Sequence, residues 1–470
     1  MILPATLTIG LAIPGIGDRQ LWRDELSTLD MASVSLPELL SRVRVTDIVN
    51  AAYYAVMHLW TMVWGTSEAT LRLPALLGFA AAASMTALVG RRLFNTTVGV
   101  TAGLIFAVMP SIVRYSQEAR ALGLATASAT LAFLLLLRAV ERPTWVRWLL
   151  YGASIVATGA FHLVALLALA AHAVYVGIIW ARARDRRLVG WVVAVAAAGL
   201  ILLPLIRIAR AQSVQVNWIP PTTFARTVSA IFGYIGSPGV TVVVLGIALL
   251  GIWPLGQRSL VLLTWEAGPF LALLLASWHI DLLLNRYMLF TLPALALLAG
   301  AAIDRYARTF GEGGRAAWQR VALPAFVPLL ALALGAGTIA RDRRIEATPA
   351  EPDLRAAAQL VGSGFRSGDS VGYHGRDAHF SGLAFRYYLP SNVTLPTLFT
   401  AAGQSVSYTG LCDGRPACAA VTRLWLVNTN VSTDPMAGVS ATLRADLERW
   451  YIVVATEGVQ AATITLLARR

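Results

Sequence analysis

The sequence has no lysine at all, so its 38 basic residues are all arginine. It has two cysteines, six histidines and only 13% charged residues in a chain of 470. Each shortage excludes a class of protein. A soluble domain carries roughly a quarter charged residues, so this composition rules out an ordinary soluble fold. With no Cys-x-x-Cys pair and no His-rich tract, a zinc-finger type of metal site is excluded. What is present is hydrophobic: 57% of residues, a mean hydropathy of +0.64, and 14 Trp, 13 Tyr and 15 Phe, which exclude a disordered chain. The formal charge of +13 would by itself invite nucleic acid. The positions of the arginines decide otherwise, and no nucleic-acid partner is expected.

Apolar runs long enough to cross about 30 Å of hydrocarbon recur through the first 340 residues. They lie near 2–17, 73–90, 98–113, 121–137, 146–161, 163–180, 188–206, 239–256, 260–277, 287–303 and 321–340, which makes eleven expected spans. The fifth and sixth should turn tightly at Phe161-His162. With a cytoplasmic N-terminus, the inner connections hold 14 arginines and four acids in 45 residues. The outer connections hold 10 arginines and nine acids in about 100 residues, so arginine concentrates inside, as membrane topology requires. The first run has neither a charged leader nor a small-x-small cleavage site, and reads as a retained helix rather than a signal peptide. The expected fold is a polytopic α-helical membrane protein in the cell membrane.

An odd span count places the C-terminal region outside. The expected domains are 1–344, a transmembrane module with a long first outer loop (18–71), and 345–470, an extracytoplasmic α/β domain. Within the loop, Leu36–Val45 and Ala51–Trp64 are amphipathic, as interfacial segments are. In the tail, Asp353–Val361 and Val439–Trp450 read as helices, and Ser370–Tyr373, Leu424–Asn428 and Tyr451–Thr456 as strands. No GxGxxG or P-loop occurs there, so nucleotide binding has no support. Cys412 and Cys418 flank a Gly/Pro-containing stretch and would close a small disulfide loop in an oxidising compartment.

The most informative residues follow the first span: Trp22-Arg23-Asp24-Glu25. Adjacent carboxylates at a membrane surface can take a proton from an acceptor hydroxyl; they can equally cap a helix. Further along stand Asp47, Tyr53-Tyr54, His58-Leu59-Trp60, Ser67-Glu68 and Leu71-Arg72-Leu73-Pro74. The second outer loop reads Arg114-Tyr115-Ser116-Gln117-Glu118-Ala119-Arg120, and a late stretch runs from Arg286 to Ala294. In this order the pieces resemble the GT-C glycosyltransferases of the protein O-mannosyltransferase and aminoarabinose-transferase class (family 39 type). That family has an Asp-Glu pair after the first helix, then an Asp-x-x-His-Pro-Pro-x-Tyr-Tyr loop. A Ser-Glu-x-x-x-Arg-Leu-Pro segment and a Tyr-x-Gln-Glu-Ala-Arg loop come next. The chain departs from the pattern at Asn50-Ala51-Ala52, where the family has His-Pro-Pro. The rigidity of the prolines is therefore missing, and no firmly bound metal is expected.

The resemblance implies an inverting enzyme that moves a sugar, with mannose expected, from a polyprenyl-phosphate carrier to an extracytoplasmic glycan or protein. It implies no cofactor beyond the lipid-linked donor; a divalent metal has no support in the residues. Asp24 would be the base, with Glu25 and Asp47 supporting it. Arg120, with Arg114 or Arg286, would hold the phosphate, since a planar guanidinium binds phosphate bidentately. Glu118, Tyr53 and Tyr54 complete the expected substrate-binding set, although the tyrosines read first as interface anchors. Glu266, inside the ninth span, and His162 and His279, at outer helix ends, are lesser candidates. The arginine bias and the wording of the loops look actinobacterial. The alternative class is a transporter or flippase of lipid-linked intermediates, which would show repeated, broken helices in two halves; no such duplication is visible.

Overall fold

The computed structural model describes residues 1–185, 188–312, 319–344, 351–375, 377–401, 421–430 and 434–470. Cys412 and Cys418, with their expected disulfide, lie outside the described residues. The chain forms two compact units: Met1–Gly17 with Met31–Arg343, and Asp18–Asp30 with Arg344–Arg470. Residues 18–30, the start of the first loop, thus fold with the C-terminal unit.

In the first unit every expected span is helical. Helix α1 (Ile2–Ala12) is shorter than the expected 2–17, because Pro14 and Gly15, the latter at φ +77, end it early. Helix α2 (Arg23–Ser33) belongs largely to the second unit. The amphipathic stretches become α3 (Leu36–Val45) and α4 (Ala51–Trp64), with their expected bounds. Helix α5 (Glu68–Leu93) is capped by Ser67, whose Oγ accepts the Thr70 N–H, and it carries Arg91 and Arg92 in its last turn, which suit a helix C-terminus. At 26 residues it is about 39 Å long.

Next come α6 (Thr96–Val108), α7 (Pro110–Ser116), α8 (Leu122–Glu141), α9 (Trp145–Phe161), α10 (Leu169–Ala183) and α11 (Val189–Ala211). They are followed by α12 (Phe224–Ile235), α13 (Pro238–Ile252), α14 (Gln257–Ala276), α15 (Leu292–Glu312) and α16 (Gln319–Asp342). Among the described residues seven helices are long and apolar enough to cross a membrane. The number is nine if the bent pairs α6–α7 (63°) and α12–α13 (88°) each count as one span. The other two expected spans are α1, with 11 residues, and α9, with 17. The protein is a multi-pass membrane protein.

Close packing of α5 on α8 depends on glycine. A Cβ on Gly78 would lie 2.5 Å from the Gly123 carbonyl carbon, and one on Gly123 would lie 2.2 Å from the Ala75 oxygen. Small residues let the two backbones approach this closely, which is how helices gain contact in lipid. The pairing fixes the N-terminal end of α8, where Arg120 stands.

The second unit is an α/β sandwich. Its helices are α17 (Leu354–Gly364), α18 (Ala378–Tyr388) and α19 (Ala441–Trp450). Strands β1 (Ser370–His374), β2 (Thr397–Ala401), β3 (Arg423–Asn428), β4 (Tyr451–Val459) and β5 (Ala462–Arg469) form one sheet in the order β2-β1-β3-β5-β4. Strand β1 is parallel to both β2 and β3; β5 is antiparallel to both β3 and β4. Alternation along β3 serves both faces. Trp425 and Val427 pack with α17 and α18, while Leu424 and Leu426 pack with α19.

Candidate active site

The expected site residues fall into two groups. Asp24 and Glu25 stand in the first turn of α2, in the second unit. Glu25 is fully buried, and its Oε2 accepts the Trp22 N–H at 3.3 Å. That is the return half of a capping box: a third-position glutamate reaching back to the residue before the helix. The surrounding segment is tied into its own unit. Gln20 Nε2 donates to the Pro352 oxygen (2.8 Å), the Leu21 N–H donates to Tyr388 Oη (2.8 Å), and Arg23 pairs with Asp377 at 3.4 Å.

The remaining residues gather in the first unit. Asp47 sits at φ +65, ψ +40, the left-handed region that aspartate tolerates better than most residues. Two glutamines from the end of α11 and the residues just after it hold this turn. Gln215 Oε1 accepts the Asp47 N–H (3.1 Å), and Gln212 Oε1 accepts the Ile48 N–H (2.9 Å). Gln212 Nε2 also donates to the Val43 oxygen at 3.0 Å. The stiffness that His-Pro-Pro would supply thus comes from a strap 165 or so positions away in sequence. No local pattern could have revealed Gln212 or Gln215.

With its backbone fixed, the Asp47 carboxylate is fully engaged. Oδ1 accepts from Asn50 Nδ2 at 2.8 Å, and Oδ2 accepts from Tyr54 Oη at 2.5 Å. Asn50, at the site of departure from the family pattern, therefore orients the acid directly. Tyr53 and Tyr54 are both fully buried, with ring centroids 6.4 Å apart. Burial pushes the Tyr54 hydroxyl well above the usual phenol range, Asp47 pushes it further, and Arg120, within hydrogen-bonding reach, opposes them. The phenol stays protonated and donates to Asp47.

Arg120 also faces His162. This imidazole is lowered to about 4, chiefly by burial and then by the Arg120 and Arg286 guanidiniums. It is neutral at physiological pH, packs edge-on against Tyr287 at 5.1 Å, and its Nδ1 has no hydrogen-bond partner among the described residues. Arg286 lies 5.6 Å from the Trp218 ring centre and within electrostatic reach of Tyr115. Arg114 meets the buried Glu118 at 3.5 Å and Asp342 at 3.9 Å. The loop carrying these residues is anchored by Gln117, whose Nε2 donates to the Ala12 (2.7 Å) and Pro14 (2.9 Å) oxygens. Buried Arg72 donates to the Ile16 oxygen at 2.8 Å and so serves as scaffold.

Asp47, Tyr53, Tyr54, Arg114, Glu118, Arg120 and Arg286 are thus all carried by the first unit, and His162 joins them. Glu266, also in the first unit, is held by its own partners: its carboxyl oxygens accept from Tyr234 Oη at 3.2 and 3.1 Å, and Tyr234 Oη also bonds Thr291 Oγ1. Among the described residues no three His, Cys, Asp or Glu side chains converge as a metal site. The cluster does offer two guanidiniums beside a carboxylate, a phenol and a neutral imidazole, at the ends of apolar helices. That set can hold an anionic group and can orient a proton.

No family model matches the chain, and no curated protein does. Solved structures do. ArnT from Cupriavidus metallidurans bound to undecaprenyl phosphate superposes with a TM-score of 0.65 at 15% identity, covering 99% of this chain and 97% of that one. Its apo form gives 0.64 at 14% identity over the same shares. The Archaeoglobus fulgidus oligosaccharyltransferase tethered to an acceptor peptide gives 0.51 at 12% identity, covering 89% of this chain and 65% of that one. The chain therefore shares the fold of these ArnT structures over nearly its whole length.

Proposed function

We propose that the protein is an inverting membrane glycosyltransferase that moves a sugar from a polyprenyl-phosphate carrier to an extracytoplasmic glycan or protein. Mannose is the sugar we assign, on the loop resemblance. The observation that carries this reading is the cluster around Arg120: a guanidinium set against Tyr54 and Asp47, with Arg286 near the same imidazole. The fold neighbour bound to undecaprenyl phosphate supports a lipid-phosphate donor. In the reaction, Asp24 takes the proton of the acceptor hydroxyl as its oxygen attacks the anomeric carbon. The bond from that carbon to the phosphate oxygen breaks on the opposite face, and its electron pair leaves with the polyprenyl phosphate. Arg120 and Arg286, with Arg114 beside Glu118, neutralise the leaving phosphate, a form of electrostatic stabilisation that needs little reorganisation. Glu25 and Asp47 support Asp24 as the base, and Tyr53, Tyr54 and Glu118 shape the substrate site. The N-terminus is assigned to the cytoplasm and residues 345–470 to the outside. The test is transfer from a labelled polyprenyl-phosphate sugar in membranes carrying Asp24→Asn. The expected result is a loss of about 100-fold or more with unchanged expression. Undiminished transfer removes Asp24 as the base.

A further inference from the structure

The far end of α8 carries a second cationic site. Arg120 precedes the first residue of this helix, and Arg138 and Arg142 stand at its close, about 30 Å away at 1.5 Å per residue. There the C-terminal ends of α5 and α8 and the start of α9 enclose a cavity of about 460 Å³. Arg92, Arg138, Arg142 and Arg147 line it, with Glu141 as its one acid. Arg92 is matched by Glu141 at 2.5 Å, and Arg147 donates to the backbone oxygens of Arg138 (2.6 Å) and Arg142 (3.2 Å). The Arg138 and Arg142 guanidiniums make no hydrogen bond or ion pair with the described residues. Arginines that merely mark topology or snorkel spread into water one by one; these four turn toward one cavity and leave two planar forks unspent.

The walls say what kind of anion fits. Leu135 and Leu150 line the same cavity, and on α9 Trp145, Leu149 and Leu150 are 76%, 60% and 50% exposed. A cationic cup that opens onto an apolar helix face matches a molecule with a phosphate at one end and hydrocarbon at the other. We infer that this cup binds the headgroup of an anionic phospholipid, at the membrane face opposite the candidate active site. Arg138 and Arg142 engage the phosphate oxygens, and the acyl chains lie along Leu149 and Leu150. The site is independent of the transfer chemistry proposed above.

The test uses the full-length protein in detergent, titrated with phosphatidylglycerol, phosphatidylcholine or inorganic phosphate and read by native mass spectrometry. Wild type should retain one phosphatidylglycerol in preference to phosphatidylcholine. Arg138→Gln/Arg142→Gln should bind it about thirtyfold more weakly. A charge-matched control, Arg91→Gln/Arg182→Gln, should bind as wild type does and separates this site from net charge. Equal retention by the two double variants overturns the proposal. So does equal binding of phosphatidylcholine, or displacement of the lipid by millimolar inorganic phosphate, which would mark a free-anion site.

Discussion

The two ends of α8 hold arginines in opposite circumstances. At the first, Arg120 lies between a buried phenol and a neutral imidazole, beside an acid whose two oxygens are both engaged. At the second, the Arg138 and Arg142 guanidiniums make no hydrogen bond or ion pair with the described residues, and Arg147 engages only their backbone oxygens. A cation held by its neighbours can meet charge that develops during a reaction without moving. A cation with unspent donors suits equilibrium binding, because the ligand supplies the missing half of each hydrogen bond. On the two roles proposed, the same residue type would do different work according to how completely the protein satisfies it.

Substitution at each end should separate the two roles. Arg120→Gln should lower transfer by about 100- to 1,000-fold, the range for removing one donor to a developing oxyanion. Arg138→Gln/Arg142→Gln should leave transfer within about twofold. A sugar-transfer assay on both variants in one membrane preparation checks the contrast; equal losses would dissolve it. The next effect concerns the neighbours that hold Arg120. Tyr54→Phe removes the hydroxyl that donates to Asp47 and receives Arg120, and should cost about 2 kcal/mol, or thirtyfold in rate, with folding preserved. Measuring transfer beside thermal stability distinguishes a lost orientation from a lost fold.

His162 gives a smaller effect with a defined sign. Its value in the folded protein is about 4, below the unfolded value of about 6.5. The unfolded chain therefore binds the proton more readily. The contribution of the neutral ring is complete above pH 6.5 and is lost as pH falls toward 4. Between pH 7.5 and 5.0 the loss is about 2 kcal/mol. His162→Asn should flatten this part of the melting curve against pH in detergent. An unchanged pH slope would show that the imidazole does not titrate as its surroundings require.

Much of this arrangement was legible in the residues, for identifiable reasons. Apolar runs became helices because lipid admits little else, and the period of Leu36–Val45 and Ala51–Trp64 bounded α3 and α4. The strands at Ser370, Leu424 and Tyr451 showed by their β-rich runs. Strand β5 did not, since its hairpin turns at Gln460-Ala461, with Ala461 at φ +52, where glycine or asparagine would have announced it. Helix α2 was hidden because Arg23–Ser33 is mostly polar. In the site, the arginines and acids were visible as types in a familiar order. The strap from Gln212 and Gln215, and the hydrogen bond to Asp47 from Asn50, which stands where the family has histidine, were not, because they depend on contacts that only the folded chain creates.

The smallest effect bears on the acid pair, where capping and catalysis compete for one side chain. Glu25 is buried and accepts the Trp22 N–H, and a glutamine there keeps an oxygen for that bond while losing the charge. If Glu25 acts only as a cap, Glu25→Gln should retain both stability and transfer, and Glu25→Ala should lose about 1 kcal/mol of stability. If its charge supports Asp24, Glu25→Gln should slow transfer several-fold while the melting temperature stays near that of wild type. We expect the slowed transfer. Measuring both variants in both assays decides between the roles, because no single role predicts a slow but stable glutamine variant except the charged one.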